Sequence, residues 1–192
     1  MTSWIKPLAG ALMSFLPWAA LAEPFSFQTV IDKAEQLAGS NWRAPPQVPK
    51  FLQELSYHDY QGMRFKSERS LWADADSPFT VMLTPPGLFY QHAVALNIVE
   101  GEQSETLAFD KSQFDYPNAE LEKLIPADLG YAGFRLTFPF ADPQVANQFL
   151  VFAGASYYRA VGRHNNFGLS GRGIAVNTGL PSGEDFPSFI EF

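Results

Sequence analysis

Tyr157-Tyr158-Arg159, followed by Arg163, His164, Asn165 and Asn166, sets two flat aromatic rings beside guanidinium and amide donors. Those groups suit a carbohydrate. Rings pack against the C–H faces of a sugar while arginine and amide side chains bond its hydroxyls, in a concave site with a few placed polar groups. Trp42, Tyr57, Tyr60 and Trp72 form a second supply of aromatic surface. The competing reading of each residue is packing, because aromatics suit a pleated, half-buried surface as well as a groove. Side chains alternate along a strand, so a Tyr-Tyr-Arg run in a strand turns at least one member away from any groove.

Other chemistries are weaker. Gly168-Leu169-Ser170-Gly171-Arg172 departs from the nucleophile-elbow pattern at its last position. Gly171-Arg172-Gly173 lacks the third glycine and the βαβ surroundings of a dinucleotide loop. His58, His92 and His164 each stand alone, whereas zinc and iron ligands usually include two close in sequence on one element. With no cysteine there is no thiolate nucleophile, disulfide or thiolate metal site, and neither a metal nor a cofactor is expected. The adjacent carboxylates Asp74/Asp76, Glu100/Glu102 and Glu184/Asp185 have the residue types of glycoside hydrolysis, which needs an acid and a base or nucleophile flanking one bond. Each pair lies in a turn-like stretch, where solvated loop charge is the simpler reading. Asp128, embedded in Leu124-Ile125-Pro126-Ala127-Asp128-Leu129-Gly130, is equally suited to capping a turn.

The elements that must position these groups are mostly strands. One amphipathic helix comes first: Ser26 is its N-cap, Phe27, Val30, Ile31, Ala34, Leu37 and Ala38 recur at helical spacing, and Gly39 ends it. Ala44-Pro45-Pro46 is a stiff linker, and residues 49–55 form a second short helix with proline near its first turn. Short apolar or alternating runs then predict strands over 79–83, 93–99, 105–109, 134–139, 149–153 and 173–176. Thr84-Pro85-Pro86-Gly87, Glu100-Gly101-Glu102 and Asp142-Pro143 punctuate them. The pattern predicts a mainly β protein, an antiparallel β-sandwich. The apolar tail, Phe186-Pro187-Ser188-Phe189-Ile190-Glu191-Phe192, reads as the start of a buried strand. Either a long-range partner strand covers it or the chain is cut from something longer, and truncation is the expectation, because domains usually finish in polar residues.

Length and charge bound the function. A chain of 192 residues makes about one domain at ~150 residues each. A net charge of −7, from 20 acidic and 13 basic residues without a basic cluster, excludes a nucleic-acid partner and disfavours anionic lipid. Residues 1–22 read as a signal peptide: Lys6 supplies the positive start, residues 8–20 the apolar stretch, and Ala20-Leu21-Ala22 the cleavage site. That stretch falls short of the ~20 apolar residues of a membrane span, so export to the periplasm without stable membrane insertion is expected.

Four stretches carry a family resemblance. They are Phe27 to Leu37 with Pro46-Gln47-Val48-Pro49 and Leu55-Ser56-Tyr57-His58-Asp59-Tyr60; Asp128-Leu129-Gly130-Tyr131-Ala132-Gly133-Phe134-Arg135; Phe152-Ala153-Gly154-Ala155-Ser156-Tyr157-Tyr158-Arg159-Ala160-Val161-Gly162; and Gly168-Leu169-Ser170 through Gly173-Ile174-Ala175-Val176-Asn177-Thr178-Gly179 to Gly183-Glu184-Asp185-Phe186-Pro187. In these the chain resembles the periplasmic glucan biosynthesis proteins G and D, the osmoregulated-glucan proteins of Gram-negative bacteria. The resemblance implies a large antiparallel sandwich similar to the galactose-mutarotase fold, followed in the family by a smaller immunoglobulin-like domain. It also implies work on the β-1,2-linked glucan backbone, with the inner-membrane glucan synthase as a partner, and some relatives are inverting β-1,2-glucan hydrolases. On this reading residues 23–192 are the N-terminal portion of the sandwich, incomplete and without the second domain. The family's acidic catalytic residues lie beyond the matched stretches, so none is carried over. The candidate sugar-binding residues are Tyr157, Tyr158, Arg159 and Arg163, with Trp72 and Tyr60. The alternatives are a non-catalytic glucan-binding or scaffold component, or an inactive fragment.

Overall fold

The computed structural model describes residues 24–192 except 141, 143, 144, 155 and 163–166. The signal-peptide reading, Arg163 and the amides beside it therefore fall outside the described residues. Helix α1 (Phe27–Ala38) starts where expected, with the Ser26 N–H donating to Thr29 Oγ1 at 3.2 Å. Gly39 ends it at φ −79°, in the right-handed region, with its N–H donating to Glu35 O at 3.0 Å. None of its residues is buried, and Phe27 is 76% exposed. Lys33 of α1 pairs with Glu191.

Two short helices follow. In α2 (Lys50–Gln53), Pro49 holds the N-cap and Leu52 is fully buried. In α3 (Tyr57–Gly62), the Ser56 hydroxyl accepts from the Asp59 N–H at 3.1 Å, satisfying one of the free donors of the first turn. A fourth helix, α4 (Ala119–Leu124), is capped by Asn118, whose Oδ1 accepts from the Leu121 N–H at 2.8 Å.

Among the described residues the strands form three antiparallel sheets. Strand β1 (Arg64–Phe65) pairs with β5 (Phe114–Asp115), and β3 (Asn97–Glu100) with β4 (Gln103–Thr106). The main sheet has five strands in the order β2-β6-β7-β8-β9. These are β2 (Thr80–Thr84), β6 (Gly133–Phe138), β7 (Asn147–Ala153), β8 (Tyr157–Val161) and β9 (Phe167–Arg172). From β6 to β9 it is a meander of neighbours, and β2 joins its edge across a long connection. The architecture is mainly antiparallel β with few short helices, sandwich-like, as the alternation predicts.

Three departures from the sequence expectation have a clear physical reason. The last strand is β9, not 173–176; there only Val176 makes a bridge, to Asp185. Gly168 and Gly171 dilute the apolar pattern of β9, yet pairing along β8 fixes it, with Arg159 opposite Ser170 and Ala160 opposite Leu169. The run 93–99 becomes a regular ladder only at Asn97, because Val94 and Ala95 bridge instead to Tyr131 and Glu191. Strand β4 begins before the expected residue 105, since the tight turn at Gly101 (φ +62°) sets Glu100 opposite Gln103.

The apolar tail has a partner. Ala95 N–H donates to Ile190 O at 3.0 Å, Phe192 N–H to Ala95 O at 2.9 Å, and Asn97 N–H to Phe192 O at 2.9 Å. The Phe192 ring lies 5.2 Å from Phe134 and 5.7 Å from Phe152, centroid to centroid. Two buried clusters hold the rest. One gathers Val48, Leu52, Met63, Leu121, Ile125 and Leu129; the other gathers Phe65, Val81, Leu83, Leu96, Phe114 and Tyr131. A fully buried leucine such as Leu52 contributes roughly 1.5–3 kcal/mol. The hydroxyl of buried Tyr131 accepts from Asp110 N–H at 3.1 Å and lies 2.8 Å from Gln113 Oε1, and burial pushes its pKa up.

Candidate binding cleft

Antiparallel register carries three residues straight across the main sheet. Arg135 of β6 faces Val151 of β7, which faces Arg159 of β8. Partners in a ladder share a face, so both guanidiniums rise from one side of the sheet with a valine between them. The adjacent set alternates to the other side: Phe134, Phe152 and Tyr158 pack with centroids 5.2 and 5.5 Å apart. Above the arginine-bearing face opens a cleft of about 700 Å³, whose further wall comes from α3 and the turn after β2.

The far wall is aromatic. Tyr57 and Tyr60 of α3 and Tyr90 line it, with Gln61 and Arg64 alongside. Tyr60 donates its hydroxyl proton to Pro85 O at 2.9 Å, and its ring centre is 6.2 Å from that of Tyr90. Gly87 lets the turn press in: its φ is +138°, and a Cβ there would meet Leu52 O at 3.3 Å and the Tyr60 ring at 3.4 Å. Gly87 and Tyr90 exchange backbone hydrogen bonds of 2.8 and 2.9 Å, which fixes Tyr90 at the rim.

Burial shapes the electrostatics. Burial lowers the Arg135 pKa, opposed by the neighbouring Tyr60, and Arg135 Nε is buried without a hydrogen-bond partner among the described residues. Desolvation also raises the Tyr60 pKa strongly; Tyr90 adds to the rise and Arg135 opposes it. The lining includes three arginines, Arg64, Arg135 and Arg159, and neither a carboxylate nor a lysine among the described residues.

Of the residues singled out in the sequence, the structure brings Tyr60 and Arg159 together at this cleft, with Tyr57 from the second aromatic supply. Tyr158 lies on the opposite face, packed on Phe152 and over Gly171, where an added Cβ would come within 2.7 Å of its ring. Tyr157 pairs with Arg172 through the backbone of β8. Trp72 stands apart in the loop before β2, half-exposed and at φ +65°, and Trp42 is 84% exposed; neither lines the cleft. Arg135, Arg64, Tyr90 and Gln148 are lining residues that sequence reasoning missed. Arg135 had a signal: a lone charge inside the apolar run Gly133–Phe138.

The carboxylate pairs lie elsewhere. Asp74, Asp76, Glu100 and Glu102 are exposed, Asp185 is held by the Asn177 amide, and Asp128 is exposed beside α4. Among the described residues no group of three or more potential ligands could hold a metal, and no helix is long and apolar enough to cross a membrane.

Fold and cleft together define an antiparallel, sandwich-like β protein with tyrosines facing arginines across an open space. Comparison with known proteins narrows this: the chain belongs to the family described as periplasmic glucan biosynthesis protein, MdoG, whose profile matches residues 25–192. Glucans biosynthesis protein G of Ralstonia nicotianae is 39% identical over 175 residues, covering 91% of this chain and 34% of the relative. The protein of that name from Pseudomonas paraeruginosa is 37% identical, covering 91% of this chain and 33% of the relative. Glucans biosynthesis protein G 2 of Shewanella oneidensis is 36% identical over 89% of this chain and 32% of its own length. The chain thus spans about a third of the length of the curated relatives it matches.

Proposed function

We propose that this chain serves glucan biosynthesis in the periplasm by holding a glucan in the cleft between α3 and the β6–β8 face. One observation carries the reading: tyrosines on one wall face guanidiniums on the other across an open space of about 700 Å³. Tyr57, Tyr60 and Tyr90 offer rings to sugar C–H faces, and Arg135, Arg159 and Gln148 offer donors to hydroxyls. Family membership and the relatives' names support glucan as the ligand, and the family resemblance of the sequence supports the β-1,2-linked backbone. Residues 1–22 supply the export signal on this reading, and the inner-membrane synthase is the partner that delivers the nascent chain. Among the described residues the cleft lining includes no carboxylate, so the groups described at this site are ones that bind a sugar, not the acid and base or nucleophile of glycoside hydrolysis.

Calorimetric titration of the purified full chain with linear β-1,2-gluco-oligosaccharides tests this, with β-1,4-linked oligomers of equal length as controls. The expected result is binding of the β-1,2 series with no change in oligomer length. No heat and no retention on immobilised β-1,2-glucan would sink the reading. Shortening of the oligomers would replace binding with hydrolysis.

A further inference from the structure

Phe189 ties together two segments that adjoin the cleft rim. Its N–H donates to Gly154 O at 3.2 Å, and its carbonyl lies 3.2 Å from His92 Nε2. A carbonyl only accepts, so the imidazole donates. One ring lining the cleft depends on both anchors. Tyr90 precedes His92 by two residues, and its ring lies against Gly154, where an added Cβ would meet it at 2.9 Å.

The rest of the tail extends the grip. Ser156 N–H donates to Pro187 O at 2.6 Å, and residues 190–192 bond to Ala95 and Asn97. The Asn97 amide adds hydrogen bonds to Glu191 Oε1 at 3.0 Å and to Phe192 O at 2.9 Å. Yet no residue from 186 to 192 is buried. A segment held largely by backbone hydrogen bonds, with no buried side chain, opens at a lower free energy than the core it lies on.

We propose that residues 187–192 form a clasp that opens and closes on the body and sets Tyr90 at the cleft rim, with His92 as the positioning residue. Docked, the clasp holds the Tyr90 ring ready for a sugar face. Released, it leaves His92 and Gly154 unlinked. Glucan binding and docking strengthen one another by the same factor, because coupling between two binding equilibria is reciprocal. This rests on the glucan-binding reading and adds the regulation of that site.

Calorimetry on the purified full chain with a linear β-1,2-gluco-oligosaccharide tests it. His92→Phe keeps a ring but removes the donor, and affinity falls about fivefold, the loss of one net hydrogen bond transmitted to the site. His92→Gln puts an amide N–H in place of the Nε2 donor and restores most of that loss. Asn97→Asp keeps the acceptor for Thr106 Oγ1 but sets a carboxylate against Glu191, so the far end of the clasp loosens and affinity falls again. Hydrogen exchange in the unaltered chain reads the coupling from the other side. Saturating oligosaccharide slows the Phe189 and Phe192 amides more than the Leu121 amide of α4.

Unchanged affinity in both His92→Phe and Asn97→Asp, or equal slowing of all three amides, overturns the inference and leaves the glucan reading standing. An equal loss in His92→Phe and His92→Gln removes the positioning role of the imidazole. No binding by the unaltered chain removes the glucan reading and the clasp's role together. Should His92→Phe fail to fold, Asn97→Asp and the exchange rates decide the matter.

Discussion

The two faces of strands β6–β8 are made from the same three segments and do opposite things. One face carries Phe134, Phe152 and Tyr158, with Phe192 packed on the two phenylalanines; the other carries Arg135, Val151 and Arg159, open to a cleft. Neighbours in sequence therefore split between packing and chemistry, and Tyr158 and Arg159 are the sharpest case. A motif rich in sugar-binding residue types does not act as a block; the period of two along the strand sorts its members.

The change with the largest expected effect abolishes the comparison by removing the sheet that both faces share. Gly133 opens β6 at φ +145°, and a Cβ there would fall 2.1 Å from Phe152 O. Gly133→Ala must push β7 away or unwind the strand end. Together the left-handed backbone and the collision cost more than ~3 kcal/mol. Thermal unfolding followed by circular dichroism should show a collapse of the melting transition, and a variant melting within a few degrees of the parent would contradict the close approach.

The next two changes separate the faces. Arg159→Ala removes an exposed cleft donor, so oligosaccharide affinity falls about tenfold while stability stays within ~0.5 kcal/mol. Tyr158→Ala does the reverse. Its ring covers Gly171 and packs on Phe152 but is 39% exposed, so its loss costs about 1 kcal/mol of stability and leaves the affinity of the folded protein unchanged. Calorimetry and chemical denaturation on both variants give the answer. If Tyr158→Ala weakened binding as much as Arg159→Ala, the assignment of faces would be wrong.

Much of the sheet is legible in the sequence, and the cleft less so. Strands β6 and β7 fall within two residues of the apolar runs that predict them, because alternation against a core is a local signal. Helix α3 has no apolar periodicity to display: Tyr57-His58-Asp59-Tyr60-Gln61-Gly62 is aromatic and polar, and only the Ser56-x-x-Asp59 cap announces it. The cleft needs α3 to meet β6 across some seventy residues of chain, a contact that no local pattern encodes. Tyr60 and Arg159 were reachable as residue types. That Arg135 faces the same space follows only from the register of β6 against β7 and β8.

A last, smaller test contrasts charge inside the cleft with charge outside it. Asp110 lies away from the cleft, and its carboxylate accepts from the Ser112 N–H at 2.9 Å and from Arg69 Nη2 at 3.2 Å. These hydrogen bonds, those of Ser112 foremost, hold its pKa below the usual aspartate value. The folded state therefore favours the ionised form: the stabilisation is complete above the unfolded pKa of ~3.9 and is lost as the pH falls through the lower folded value. Asp110 is exposed, so solvent screens most of the gain. Melting temperature measured from pH 5 down to pH 2.5 should fall slightly less in Asp110→Asn than in the parent. The same substitution leaves oligosaccharide affinity at pH 5 unchanged, since Asp110 does not line the cleft, whereas Arg159→Ala lowers it. An affinity loss in Asp110→Asn would show that Asp110 acts on the site.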